Sequence, residues 1–232
     1  MYETAAVIVA AGDSTRMKLG CNKNYIEHEG RLLLSYTLAA FGQCPEVDRI
    51  VLVIKDSERE SAERAVAQAG IGRDVMFVPG ADTRQGSVFS GLTAAQGCTY
   101  AAIHDGARCL ISPADISRVL KMTCETGAAT LVSRVNDTCM WLTEDRTQTE
   151  CYLDRARMAA VQTPQCFLYD RIMRAHIRAR EDGFTGTDDT GIYRRYEGKV
   201  ELVYSENINW KITEPGDLEL AEAILRFREE RG

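Results

Sequence analysis

Arg16 and Lys23 stand in the polar stretch G-D-S-T-R-M-K-L-G-C-N-K, which closes an apolar run at Gly12. Further along come Gly80, Asp82, Arg84 and Ser87, then His104-Asp105-Gly106-Ala107-Arg108, then Asp137 and Thr138, and last Lys211. Small residues let backbone N–H groups approach a ligand closely, and cations just beyond them suit a polyphosphate. One or two carboxylates among those cations fit a phosphate-rich substrate carrying a divalent metal. The Gly12 segment taken alone reads equally as an ordinary strand-to-helix loop with surface cations, and Lys18 as a solvated charge. Two familiar phosphate motifs are absent: there is no G-x-x-x-x-G-K-[ST] and no G-x-G-x-x-G. Asp56, the first acid after the second strand, lies too far from Gly12 for the ribose contact of a dinucleotide fold. With no G-x-S-x-G either, a serine hydrolase is a poor reading.

Those residues need elements to carry them. Ala5–Val9 is apolar on both faces, the pattern of a central parallel strand. Leu32–Phe41 reads as a helix and Arg49–Ile54 as a second strand. Ser57 and Glu60 have capping-box spacing for a helix ending at Gly70. Asp74–Val78 reads as a strand, a helix follows near Ser87–Ala95, and Tyr100–His104 is a fourth strand. Ser112-Pro113-Ala114-Asp115 is a strong helix start, and that helix leads to a fifth strand, Ala128–Val132. From Asn136 to about Arg155 the helical rhythm stops. Cys139-Met-Trp-Leu and Glu150-Cys-Tyr-Leu read as a β-hairpin whose Met140, Trp141, Tyr152 and Leu153 would want a partner. The alternative is a hairpin folded back on its own sheet. Helices near 169–180, 188–196 and from 214, and a strand near 200–204, complete the pattern. The expectation is a Rossmann-like α/β fold: a mostly parallel sheet flanked by helices, one domain over 1–232, with 136–156 as a protruding arm. On such a sheet the residues opening this section gather beyond the carboxyl ends of the strands.

The chain has 232 residues, 45% hydrophobic and 27% charged, with a formal net charge of −6. That balance argues against a general nucleic-acid surface while permitting a local basic pocket. The longest apolar run, Ala5–Ala11, falls far short of the ~18 residues a membrane span needs. No basic segment precedes an apolar stretch at the start, so no secretory signal and a cytoplasmic location are expected. The eight cysteines contain no C-x-x-C, and none lies at ligand spacing from the three histidines, so reduced thiols are the better reading.

A-A-G-x-x-x-R-M followed by the Lys23 of C-N-K-N-Y resembles the opening signature of sugar and polyol-phosphate nucleotidyltransferases. Gly80-Ala-Asp-Thr-Arg-Gln-Gly-Ser87, His104-Asp-Gly-Ala-Arg108, Asn136-Asp-Thr138, Thr163-Pro-Gln165, Gly186-Thr-Asp-Asp189 and Asn209-Trp-Lys-Ile-Thr213 narrow it. In order and nearly end to end, they resemble the 2-C-methyl-D-erythritol 4-phosphate cytidylyltransferase family of the non-mevalonate isoprenoid pathway. The resemblance implies transfer of CMP from CTP to methylerythritol phosphate with release of pyrophosphate. It assigns the triphosphate to Arg16 and Lys23, and the nucleotide to Ala10, Ala11, Gly12, Gly80, Asp82, Arg84 and Ser87. It gives the acceptor to Asp105, Arg108, Thr138, Lys211 and Thr163. Arg155 is similar to an arginine that reaches into a neighbouring subunit's site, which implies a homodimer through the arm. Mg²⁺ would be held mainly by phosphate, with no protein metal site.

Duller roles stand beside these. Arg84 and Arg108 could pair with Asp82 and Asp105 to order loops, Asp188-Asp189 could cap a helix, and His104 could simply pack. The sequence departs from the family at Ser14 (usually glycine), Val9, Asn22 (usually proline) and Cys109. Ser14 matters most, because glycine there permits dihedrals serine dislikes. The loop is still expected to close on CTP. Competing functions are a ribitol 5-phosphate cytidylyltransferase, a pyrophosphorylase for another base or a sugar 1-phosphate, and a silent dimeric interaction protein.

Overall fold

The computed structural model describes residues 3–14, 17 and 22–230. Its strands are β1 (Thr4–Val9), β2 (Glu27–His28), β3 (Arg31–Leu32), β4 (Arg49–Ile54), β5 (Val75–Pro79), β6 (Tyr100–Asp105), β7 (Ala128–Arg134), β8 (Met140–Leu142), β9 (Thr149–Tyr152), β10 (Ala159–Leu168) and β11 (Glu201–Tyr204). Its helices are α1 (Leu33–Gln43), α2 (Arg59–Ala69), α3 (Arg84–Ala94), α4 (Pro113–Thr126), α5 (Tyr169–Glu181), α6 (Asp189–Tyr196) and α7 (Pro215–Glu229). Seven strands form one sheet in the order β11-β7-β10-β6-β1-β4-β5. Only β10 runs antiparallel to its neighbours.

The apolar run of β1 is continuous because both faces are covered. Ala6 and Ile8 pack with Leu38, Phe41, Ala62, Ala65, Val119 and Leu120 of α1, α2 and α4. Ala5 and Val7 face Val88, Leu92, Ile172 and Tyr193 of α3, α5 and α6 on the other side. A third cluster joins Met17, Leu33, Cys109, Leu110 and Ile212 to Ala221 and Leu225 of α7. It seats the last helix against the loop that follows β6.

Ser112 caps α4 by accepting the Asp115 N–H, with Pro113 in the first turn, and Gly127 closes it at φ +87°. Gly70 ends α2 in the left-handed region, as its position predicts. The Ser57 capping box does not form. Residues 56–58 wind into a 3₁₀ turn and α2 begins at Arg59, behind a Glu58 that makes no side-chain cap. The sequence reading also misses the short β2–β3 pair and, more seriously, β10. Pro164 argues against a central strand, yet the β10–β7 pairing shifts register between Val161 and Gln165, so the proline falls where no ladder N–H is needed.

The expected hairpin is present as β8 and β9, which pair antiparallel with each other as a separate sheet. Trp141 and Tyr152 are 62% and 67% exposed. The seven described cysteines are unpaired, and no helix of the described chain is long and apolar enough to cross a membrane.

Candidate active site

Beyond the carboxyl ends of β1, β4, β5 and β6 lies a cavity of about 600 Å³. Its floor begins with the β1 exit. Ala10 continues the ladder by donating to the Val53 carbonyl (2.8 Å), and Ala11, Gly12, Asp13 and Ser14 turn along the rim. A Cβ on Gly12 would meet nothing within 4 Å, so glycine leaves the backbone open there. Gly80 is glycine for the opposite reason, since a Cβ would sit 2.3 Å from that of Ala11. The Gly80 N–H donates to the Ile54 carbonyl (2.8 Å), holding the two loops together. The Ser87 hydroxyl, buried, receives the Ala81 N–H (3.0 Å) and donates to the Ala81 carbonyl (3.2 Å). It shapes the loop that carries Asp82.

Asp105, at the end of β6, is the charge centre of the far wall. Lys211 Nζ lies 2.7 Å from Oδ2, Arg84 Nε 2.9 Å from Oδ1, and Arg108 Nε 3.8 Å from Oδ2. Burial alone would push this carboxyl up, but Arg84, Lys211 and Arg108 hold it far below the usual carboxylate range. Arg84 also meets the fully buried Asp189 at 2.9 Å, and Asp189 in turn contacts His176 Nε2 at 3.1 Å. Burial opposes the Arg84 charge, while Asp189 and Asp105 more than restore it. The carboxylates Arg84 pairs with are therefore Asp105 and Asp189, not Asp82. Asp188 does cap α6, accepting the Gly191 N–H at 2.8 Å, whereas Asp189 faces inward.

The strand that sequence reasoning missed supports this wall. Thr163 of β10 accepts the Asp105 N–H (3.1 Å) and lies 3.0 Å from His104 Nδ1. Burial drives the His104 pKa down to about 3, so the ring is neutral and serves packing. Lys211 is held by its neighbours: Ile212 donates to the Ala107 carbonyl (3.0 Å), Arg108 to the Asn209 carbonyl (3.0 Å), and Asn209 to the Thr163 carbonyl (2.8 Å).

Of the residues singled out from sequence, Ala11, Gly12, Lys23, Gly80, Asp82, Arg84, Ser87, Asp105 and Lys211 line this one cavity. Ala10 is buried beneath it, and Arg108 and Thr163 stand behind Asp105. Thr138 and Arg155 are exposed and outside the lining, the Arg155 guanidinium donating to the Asn136 carbonyl at 2.7 Å. Arg16 and Lys18 lie outside the described residues. Lys55, Asn24 and Thr213 line the cavity without having been singled out as site residues. Lys55 directly follows Ile54 of β4, so the same strand-end rule that selects Asp105 would have found it.

A nearly all-parallel sheet whose strand ends open onto a cleft lined by both cations and carboxylates defines an open-sheet α/β protein with its site at the strand ends. Residues 4–227 match the model of the family described as IspD, 2-C-methyl-D-erythritol 4-phosphate cytidylyltransferase. Proteins of that name from Shouchella clausii and Desulforamulus reducens are 35% and 38% identical, each alignment covering 98% of both chains. A crystal structure of 4-diphosphocytidyl-2C-methyl-D-erythritol synthase from Anaerococcus prevotii superposes with a TM-score of 0.86 at 27% identity, over 97% of this chain and 96% of that one. The chain belongs to the 2-C-methyl-D-erythritol 4-phosphate cytidylyltransferase family, and is thus an enzyme of the nucleotidyltransferase class.

Proposed function

We propose that this enzyme transfers CMP from CTP to 2-C-methyl-D-erythritol 4-phosphate, forming 4-diphosphocytidyl-2-C-methyl-D-erythritol and pyrophosphate. The observation that carries the reading is the convergence of Lys23, Lys211 and Arg84, from three distant parts of the chain, on one cavity at the strand ends. An oxygen of the acceptor phosphate attacks the α-phosphorus, and the bond to the β-phosphate oxygen breaks as pyrophosphate leaves. The nucleophile is already an anion and needs no general base, which suits a site whose nearest histidine is buried and neutral. Rate enhancement then comes from positioning and from charge aimed at the α-phosphoryl oxygens.

In this reading Arg16 and Lys23 cradle the triphosphate. Backbone groups of Ala10, Ala11, Gly12, Gly80 and Asp82 read the cytosine, on loops shaped by Ser87 and Arg84. Lys211, Asp105, Arg108, Thr138 and Thr163 form the acceptor side. Arg155 comes from a second copy across a dimer built on the exposed β8–β9 hairpin. The described residues contain no cluster of three acidic, histidine or cysteine ligands, and Asp105 is already engaged by cations. With Asp13 likewise paired to Lys55, that donor set fits Mg²⁺ carried by phosphate and water, with at most Asp82 added from the protein. When bound, the ion neutralises triphosphate charge and favours pyrophosphate as leaving group. One domain working in the cytoplasm completes the proposal. Incubation with CTP, Mg²⁺ and either methylerythritol phosphate or ribitol 5-phosphate, with products identified by mass, tests it. Product from the first acceptor is expected, and turnover of ribitol phosphate alone would replace the reading.

A further inference from the structure

The connection between β4 and α2 holds the loop after β1 at two points. Lys55 Nζ reaches Asp13 Oδ1 at 2.5 Å, and both Glu58 carboxylate oxygens accept from Asn22 Nδ2, at 3.1 and 2.9 Å. Asn22 is 8% exposed, and its amide is fully used. Nδ2 also donates to the Ala10 carbonyl (2.9 Å), while Oδ1 accepts the Ser14 hydroxyl (3.2 Å), the Asn24 N–H (3.1 Å) and Asn24 Nδ2 (3.0 Å). Ser14 stands at φ +53°, in the left-handed region that disfavours a serine. Its hydroxyl offsets that cost by also receiving the Lys23 N–H at 3.0 Å. Where glycine and proline would set this turn by backbone preference, serine and asparagine set it by hydrogen bonds that end on a neighbouring strand's exit.

We propose that Glu58 and Lys55 are positioning residues for the nucleotide site, bracing Asn22 and Asp13 so that residues 10–14 and Lys23 keep the spacing a triphosphate requires. The proposal rests on reading the cavity as the CTP site. Burial pushes the Glu58 carboxyl up, and the Asn22 amide and the neighbouring Lys55 only partly reverse that. Neither residue touches the reacting atoms in this scheme, and both act through the loop.

Three measurements on Glu58→Ala, Glu58→Gln and the unaltered enzyme test it. Hydrogen exchange at the Lys23 and Asn24 amides should quicken roughly tenfold in Glu58→Ala, with Tm within about 2 °C of the parent. The CTP Kd and the CTP KM should rise by about five- to tenfold, while the acceptor KM holds. Glu58→Gln keeps an oxygen acceptor for Asn22 and should recover most of both effects. Unchanged exchange at those two amides, or a Glu58→Gln as impaired as Glu58→Ala, overturns the brace. So does a rise in both substrate KM values together. Should the unaltered enzyme fail to bind CTP, the functional reading falls, while exchange at Lys23 and Asn24 still decides whether the brace exists.

Discussion

Asp105→Asn removes one negative charge from the middle of three cations while keeping the side-chain shape. In the native protein Lys211, Arg84 and Arg108 lie 2.7, 2.9 and 3.8 Å from its carboxylate, and the residue is 8% exposed. Removing one partner of a buried charged group costs about 3–5 kcal/mol, because the remaining charges lose their counter-ion without regaining water. For a chain of this length that is a fall in Tm of roughly 6–20 °C. The loss should be recoverable by an anion. Pyrophosphate at a hundredfold above its Kd stabilises any site it binds by about 2.7 kcal/mol, and the uncompensated cations should bind it more tightly. Urea denaturation of both proteins with and without pyrophosphate measures both effects. The expected outcome is a lower midpoint at unchanged slope for the variant, and a larger upward shift on adding the anion. A variant with the parent's midpoint, or an equal pyrophosphate shift in both proteins, would show that Asp105 does not organise these cations.

Lys23→Ala should lower kcat by ~10²-fold or more, the scale for losing one charge contact to a transition state, read by pyrophosphate release. Gly80→Ala places a Cβ 2.3 Å from that of Ala11 and should cost about 1–3 kcal/mol in denaturant and weaken CTP binding by calorimetry. His104 holds its pKa near 3 against an ordinary 6.5, so below pH 6.5 the unfolded chain takes up a proton the native one refuses. Stability should therefore fall with pH by up to about 1.4 kcal/mol per unit from this group, and His104→Gln should remove that slope between pH 6.5 and 4. Asp105 and Asp189 contribute stability present above their ordinary 3.8 and lost only in stronger acid, outside that window. Arg155→Ala should chiefly raise the acceptor KM, and mixing it with Lys211→Ala should restore activity through hybrid dimers if Arg155 acts in a second copy.

The parallel strands were legible because their burial is two-sided. Runs such as R-I-V-L-V-I carry no polar alternation, and β4 has the bounds its composition predicts. The α4 start was legible because a serine, a proline and an acid at fixed spacing each satisfy a local demand of the backbone. What escaped depends on contacts far apart in sequence. The first half of β10 is polar and carries Pro164, and only its partners β6 and β7 make it a strand. Ser57 has the spacing of a cap, but nothing local reveals that Glu58 is claimed by Asn22, 36 residues earlier. Arg84 was legible as a loop cation, whereas its partner Asp189 lies 105 residues away, at the start of a helix where capping is the duller role the sequence offers for it.

Charge in the described part of the cleft bears on why the proposed reaction needs more than that part. Arg84, Arg108 and Lys211 are set against the carboxylates of Asp105 and Asp189, and Lys55 and Lys23 share the rim with Asp13 and Asp82. Such a wall is close to neutral. A nucleoside triphosphate beside a phosphate monoester brings several negative charges into a space of about 600 Å³, where repulsion is screened less than in water. The three cation sources the described cavity does not itself supply are Arg16, a nucleotide-borne divalent ion and an arginine from a second copy. The proposal therefore requires all three to act together. Entry of the triphosphate would then bring phosphate oxygens to Lys23, while the Lys55–Asp13 pair keeps the loop in place and Asp105 holds the acceptor side in register.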